Sequence, residues 1–294
     1  MKKPLPTEIV KTYPQRGPMQ QFRITELTAF HCFRCGQSKK SKLVVVYEND
    51  WNRLLCNGCY GRLLSIYEIK AGTKSDDEKA TELAEVLLSL LNKDQAREAE
   101  RLYQLSERRA VLLSQAALKF VSTSEHLSRV LENVPDLDWS STTIGLCKAV
   151  EIELIERIVK PLLTQTKGLN IEADVKDKDL GRVAKFLAEP NDNKPPEMGT
   201  FAHFLQTSIN SQTRRTTSPI VGCLYKLFHS WPNSDWISNT DGLYKSIVRL
   251  TQDFRNPAAH INILTKQDYE NCREFVIGAN GILWKLISAT QPHK

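Results

Sequence analysis

The 294-residue sequence lacks long apolar runs, is sparing with proline and glycine, and has no strong excess of one charge. No stretch approaches the ~18 consecutive apolar residues of a membrane-spanning helix. Thirteen Gly and 13 Pro exclude a collagenous or low-complexity array. With 40 Lys+Arg against 34 Asp+Glu and 41% hydrophobic residues, the composition excludes wholesale disorder and fits a globular protein. The opening Met1-Lys2-Lys3-Pro4-Leu5-Pro6 is basic, but no apolar core of about 7–15 residues follows it, so it fails as a secretory signal. A cytoplasmic protein without membrane partners is expected, and a reducing cytoplasm keeps cysteines as thiols. The chain has seven, an odd number for disulfide pairing.

The net charge of +6 is unevenly placed. Residues 1–75 hold 13 basic and 5 acidic side chains, residues 76–133 hold 8 and 11, and the remainder hold 19 and 18. In the basic quarter, Lys42-Leu43-Val44-Val45-Val46-Tyr47 is short and β-branched, ahead of Glu48-Asn49-Asp50, and predicts a strand. Residues 60–70 carry apolar side chains at helical spacing. Gly72 then supplies a stop and Ser75-Asp76-Asp77 a start, which places a boundary near residue 74.

Residues 76–133 contain neither Gly nor Pro. Leu83, Val86, Leu87, Leu90 and Leu91 form one apolar stripe, and a second runs from Leu112 to Leu131. A single helix over this interval would be roughly 87 Å long, and the polar interval 92–101 equally suits a turn between two helices. A long helix or helical hairpin serving as linker, scaffold or dimerising element is expected. Residues 134–294 show helical patterns over 142–163, closed within about a turn by Pro161, and over 200–208, 218–230, 241–251 and 266–289. Strand signals are nearly absent there, which predicts a helical bundle.

Cys32-Phe33-Arg34-Cys35 and Cys56-Asn57-Gly58-Cys59 stand 20 residues apart, a spacing that reads as one zinc site. Two residues between ligands make a knuckle that turns both thiolates inward, with Gly36 and Gly58 easing the backbone. Four thiolates leave no open coordination position, so the Zn2+ is expected to be structural. His31 reads as a flanking residue, and Cys147, Cys223 and Cys272 fall in helical stripes as small buried hydrophobes. The order knuckle, strand, knuckle, helix over residues 28–70 resembles treble-clef zinc fingers. Arg34, Lys39, Lys40, Lys42, Arg53 and Arg62, interleaved with Phe33, Trp51 and Tyr60, suit phosphates and stacked bases or simply a solvated surface.

Near the end lies Asp253-Phe254-Arg255-Asn256-Pro257-Ala258-Ala259-His260, between a helical pattern ending near 251 and the last one. Arg-x4-His is weak as spacing alone. Its chemistry is coherent, because RNA cleavage needs a proton carrier near neutrality, which His260 offers. It also needs a fixed cation for charge developing on the phosphate, which Arg255 offers. The bland alternative makes Asn256-Pro257 a helix start, pairs Arg255 with an acid and buries His260.

This element and Leu146-Cys147-Lys148-Ala149-Val150-Glu151-Ile152-Glu153-Leu154 resemble the HEPN superfamily of helical-bundle proteins, many of them ribonucleases with an R-x4–6-H motif. The resemblance covers about residues 134–290. It implies that Arg255, Asn256 and His260 are catalytic, that two motifs meet across a homodimer, and that RNA is cut to a 2′,3′-cyclic phosphate and a 5′-hydroxyl. It also implies a toxin or antiviral abortive-infection role. One subgroup has a tyrosine two residues after the histidine, where this chain has Asn262. Lys148, Glu151 and Glu153 would line a cleft or form a solvated charged face. His126, His203 and His229 lack a matching arginine and are expected to be structural or surface residues.

The expected protein is mainly α, with a small α+β zinc module (1–74), a helical linker or scaffold (75–133) and a HEPN-like bundle (134–294). The expected function is a metal-independent endoribonuclease whose zinc module senses or positions a nucleic-acid or protein trigger. The alternative is a non-enzymatic zinc-finger adaptor or nucleic-acid-binding protein with an inert helical dimerisation domain.

Overall fold

The computed structural model describes residues 8–132 and 137–291. The basic opening hexapeptide and the 133/134 boundary lie outside the described residues. The chain is mainly helical, with a four-stranded antiparallel sheet at its N-terminal end.

Strands β1 (Ile9–Thr12), β2 (Met19–His31), β3 (Ser38–Tyr47) and β4 (Asp50–Leu55) lie in the order β1-β2-β3-β4. Of these only the core of β3 was visible as a β-branched run. The outer half of the β2–β3 hairpin pairs Phe30 with Lys39 and His31 with Ser38 beyond a register shift. Its side chains there are largely exposed, so no alternation marks it. The β3–β4 turn places Glu48 and Asn49 at φ 51° and 58°, as a two-residue primed turn requires. Helix α1 (Asn57–Ala71) follows and buries Leu63 and Ile66 in one core with Met19, Val45, Tyr47 and Leu55.

The interval after α1 is neither one long helix nor a simple hairpin. It is α2 (Asp76–Ser89), α3 (Lys93–Ser106), a 3-10 turn over Arg108–Leu112, and α4 (Gln115–Leu131). Breaks arise without Gly or Pro because capping side chains start each helix. Asn92 and Gln95 form a reciprocal capping box at α3, and the Ser114 hydroxyl accepts from Ala117 N–H at α4. The interval 92–101 looked like a gap because α3 buries only Ala99 and Tyr103. These helices fold back onto the bundle, and its core runs from Met19 through Leu83 and Val121 to Leu286.

Helix α5 (Ser140–Leu154) sits at the centre, packed by α2 and α4. Gly145 is the point of closest approach: a Cβ there would lie 2.2 Å from Ser124 Oγ and 2.3 Å from Leu87 Cδ2. Beyond α5 the helix widens into a π turn at Ile155–Val159 and continues as α6 (Lys160–Thr166), so Pro161 is followed by about one more turn. Then come α7 (Glu172–Lys176), α8 (Gly181–Ala188), α9 (Met198–Asn210), α10 (Gln212–Thr217), α11 (Pro219–Ser230) and α12 (Asp235–Ser238). Helix α13 (Leu243–Arg249) enters a second π turn at Leu250–Arg255 and continues as α14 (Asn256–Ala259). The helix expected to end near 251 therefore runs on to Ala259. In both places a proline is the second residue after the π turn, and the wide turn admits a ring that an ordinary helix interior rejects. The pattern over 266–289 divides into α15 (Lys266–Ile277) and α16 (Ile282–Ala289).

Candidate metal centre and the Arg255/His260 element

Cys32 follows the last residue of β2, and the chain reverses tightly after it. Gly36 N–H donates to Cys32 O at 2.8 Å, and Cys32 N–H to Gln37 O at 2.9 Å. Gly36 takes φ +67°, the left-handed conformation that favours glycine. Gly58, expected to serve the second knuckle in the same way, lies within α1 and has no such φ. Here the helix itself provides the turn: Cys56 caps α1 and Cys59 lies in its first turn, so the helix's positive end faces the sulfurs.

The four ligand atoms of Cys32, Cys35, Cys56 and Cys59 lie within 4.8 Å of one another, with Cys35 Sγ and Cys56 Sγ 3.9 Å apart. Thiolates at ~2.3 Å from a tetrahedral ion would be separated by about 3.8 Å. The set is therefore compatible with a metal site such as zinc. The neighbouring Cys59 thiol, with backbone donors led by Cys56 N–H, draws Cys32 down to about 4, while Cys32 and burial in turn push Cys59 up. Cys56 N–H lies 3.3 Å from Cys32 Sγ. His31 is outside the cluster, with Nδ1 3.1 Å from Ser38 Oγ. Cys147, Cys223 and Cys272 are buried in α5, α11 and α15.

The basic and aromatic residues around the cluster divide. Arg53 pairs with Glu48 at 2.7 Å and Asp50 at 3.4 Å and lies over the Phe33 ring. Phe33 stacks on Tyr47, and Trp51 on Phe22. These groups stabilise the module's own sheet. Lys39, Lys40 and Arg62 instead line an open groove of about 430 Å³ with Phe30, Cys35 and Cys59.

Arg255 ends the second π turn, where Asn256 N–H reaches back five residues to Thr251 O. Asn256-Pro257 is thus inside a continuing helix and does not start one. The Arg255 side chain is 4% exposed and His260, just past α14, is 57% exposed. Both meet the first turn of α2. The Arg255 guanidinium is in ion-pair contact with Asp77, and His260 Nε2 lies 3.6 Å from Asp76 Oδ2. Burial, followed by the neighbouring Asp77 carboxylate, raises the carboxyl of Glu197, immediately before α9, above the ordinary range against the pull of Arg255 and Arg182. Asp77 Oδ1 makes no well-directed hydrogen bond despite the ion pair, and Asn256 Oδ1 is likewise buried without a hydrogen-bond partner.

Sequence reasoning missed Asp76, Asp77 and Glu197 as neighbours of the motif. The Ser75/Glu78 capping box does mark where α2 begins, but nothing in the local pattern says what that end touches. Lys70 was missed too. Its buried ammonium, at the end of α1, donates to Asp138 Oδ2 and Ser140 Oγ at 2.9 Å each and to Asn262 O. Lys79 of α2 donates to Lys70 O at 3.0 Å. The loop after His260 is therefore held by the helix that starts on the cysteines.

Glu153 belongs neither to a cleft nor to a solvated face. It is fully buried, pairs with Arg157 and accepts Ser114 N–H at 2.6 Å, which fixes the start of α4. Lys148 and Glu151 pair with each other at 2.6 Å. His203 faces Asp179 at 3.3 Å, and His229 Nδ1 lies 2.6 Å from Tyr225 O. A groove of about 820 Å³ is lined by Arg249, Asp253, Phe254, Phe275 and Lys285 among others, beside the motif but without Arg255 or His260. Among the described residues no helix is long and apolar enough to cross a membrane. Compared with protein-family models, curated proteins and solved structures, the chain matches none.

Proposed function

We propose that the protein is a metal-independent endoribonuclease of HEPN type. The observation that supports it is the pairing of a buried, fixed Arg255 with an exposed His260 at one helix end that contains a π turn. A guanidinium held in place is suited to a phosphate, and an exposed imidazole can trade protons with substrate and water. In the reaction His260 takes the 2′-OH proton, the 2′ oxygen bonds to phosphorus, and the P–O5′ bond breaks. A proton returns to the 5′ oxygen, leaving a 2′,3′-cyclic phosphate and a 5′-hydroxyl. Arg255 balances the charge gained by the phosphoryl oxygens, and Asn256 orients His260 or a phosphate oxygen. In a homodimer a second motif supplies the returning proton.

The four cysteines hold one structural Zn2+, which shapes the N-terminal module and takes no part in cleavage. The protein acts in the cytoplasm as a toxin or antiviral effector, and the Lys39/Lys40/Arg62 groove meets a nucleic-acid or protein trigger. The test is RNA degradation by wild type, His260→Ala and Arg255→Ala, with a chelator level that leaves the zinc bound. Loss in both variants is expected, and equal cleavage by all three would sink the assignment.

One observation favours a second function: the Asp77 contact neutralises Arg255 as a structural ion pair would. The protein is then a zinc-finger adaptor or nucleic-acid-binding protein with an inert helical domain. It binds in a salt-sensitive, Cys32- and Cys56-dependent way, and His260→Ala has no phenotype.

A further inference from the structure

We propose that Asp76 and Asp77, in the first turn of α2, form an autoinhibitory latch that occupies the anion positions of the Arg255/His260 element. The proposal rests on the nuclease assignment above. Each acid faces one member of the motif: Asp77 is in ion-pair contact with Arg255, and Asp76 lies 3.6 Å from His260. A carboxylate presents to a guanidinium the same bidentate oxygen edge that a phosphate does, so an RNA phosphate and Asp77 compete for one site.

Three features mark a contact built to exchange. It is under-satisfied, since Asn256 Oδ1, next in the chain to Arg255, is buried without a hydrogen-bond partner. It is crowded, since the Asp77 carboxylate in contact with Arg255 also acts on the Glu197 carboxyl, and the one guanidinium serves both acids. It is also movable from outside. The latch joins the N-terminal module through the short turn 72–75, and α1 runs as one helix from the Cys56 cap to that turn. Lys70 ties the same corner to the loop after His260 through Asn262 O. A ligand that tilts α1 therefore moves both the acids and the loop. The acids tolerate release, because carboxylates in a first helical turn are stabilised by the helix end whether or not they face a cation.

The test uses full-length, zinc-loaded Asp77→Asn, Asp76→Asn and the double variant. Two readouts are taken: affinity for an uncleavable 2′-O-methyl RNA oligonucleotide at fixed salt, and the rate of cleavage of ordinary RNA. The expected result is about tenfold tighter binding in the double variant, as removal of a dominant blocked state requires, lost again when Arg255→Ala is added. Cleavage rises in parallel. Unchanged or weaker binding in variants that keep the wild-type melting temperature would overturn the latch, even if wild type cleaves well. Tighter, Arg255-dependent binding with no cleavage by any variant keeps the latch and removes the nuclease assignment. If Asp77→Asn melts early, Asp76→Asn carries the test, because its acid faces only the exposed side of the motif, where a gain of about twofold or more is expected and none would overturn it.

Discussion

The cysteine cluster gathers four like ligands from two short segments, one a β-hairpin turn and the other a helix start. The Arg255/His260 element is assembled the other way, from one helix end met by carboxylates of α2 and by Glu197, remote in sequence. The first centre depends on local backbone turns and on an ion, the second on how the helices pack. They meet through α1, which starts on the cysteines and holds the loop after His260 through Lys70, and the predictions below measure how far damage to one reaches the other.

The largest effect is expected from Cys32→Ser with Cys56→Ser. Structural zinc is worth on the order of 10–16 kcal/mol in small zinc modules, so metal content should fall from one per chain to none. Near-ultraviolet circular dichroism should show loss of the module's aromatic packing, while the helical signal persists. Collapse of the whole helical signal would show that the bundle depends on the metal.

Arg255→Ala comes next. It leaves Asp77 and Glu197 facing each other without their cation, and a loss of about 1–3 kcal/mol is expected after allowing for partial solvent access. His260→Ala, at an exposed helix end, should stay within about 0.5 kcal/mol. Denaturant melts of the two variants separate a structural role for the arginine from a chemical role for the histidine. Gly145→Ala should cost about 1–3 kcal/mol by pressing α5 against Ser124 and Leu87. Because Leu87 belongs to α2, metal content should be unchanged while RNA affinity shifts.

The smallest effect concerns Glu197, whose carboxyl is raised by burial and by Asp77. Its folded pKa lies above its unfolded one, so the neutral acid favours the folded state at low pH. That contribution is lost as pH rises from the ordinary carboxyl range through the raised value. Asp77, Arg255 and Arg182 face the same group and set the size of the shift. Glu197→Gln should flatten the part of the melting-temperature profile just above the ordinary carboxyl range, and an unaltered profile would remove Glu197 from the cluster.

The mainly helical architecture was legible because patterns such as 219–230 combine a capping serine, a proline start and a continuous apolar face. The cysteine cluster was legible because its geometry is set by spacing within each knuckle. Strands β1 and β2 were not, since their exposed stretches carry no alternation, nor was β4, which buries the adjacent Leu54 and Leu55. Division of 76–133 into three helices depended on the Asn92/Gln95 box, which marks a start only once the preceding turn is known. Arg255 and His260 could be named from the motif, but their acid partners could not. A contact between residues 77 and 255 is a property of packing around α5, and no local signal encodes it.

The most direct measurement of the central claim is end-group analysis of RNA incubated with zinc-loaded wild type, the released Asp76→Asn/Asp77→Asn variant, and that variant with His260→Ala. The account predicts 2′,3′-cyclic phosphate and 5′-hydroxyl ends from the first two, more from the second, and none from the third. Intact RNA throughout, or equal cleavage with and without His260, would contradict it.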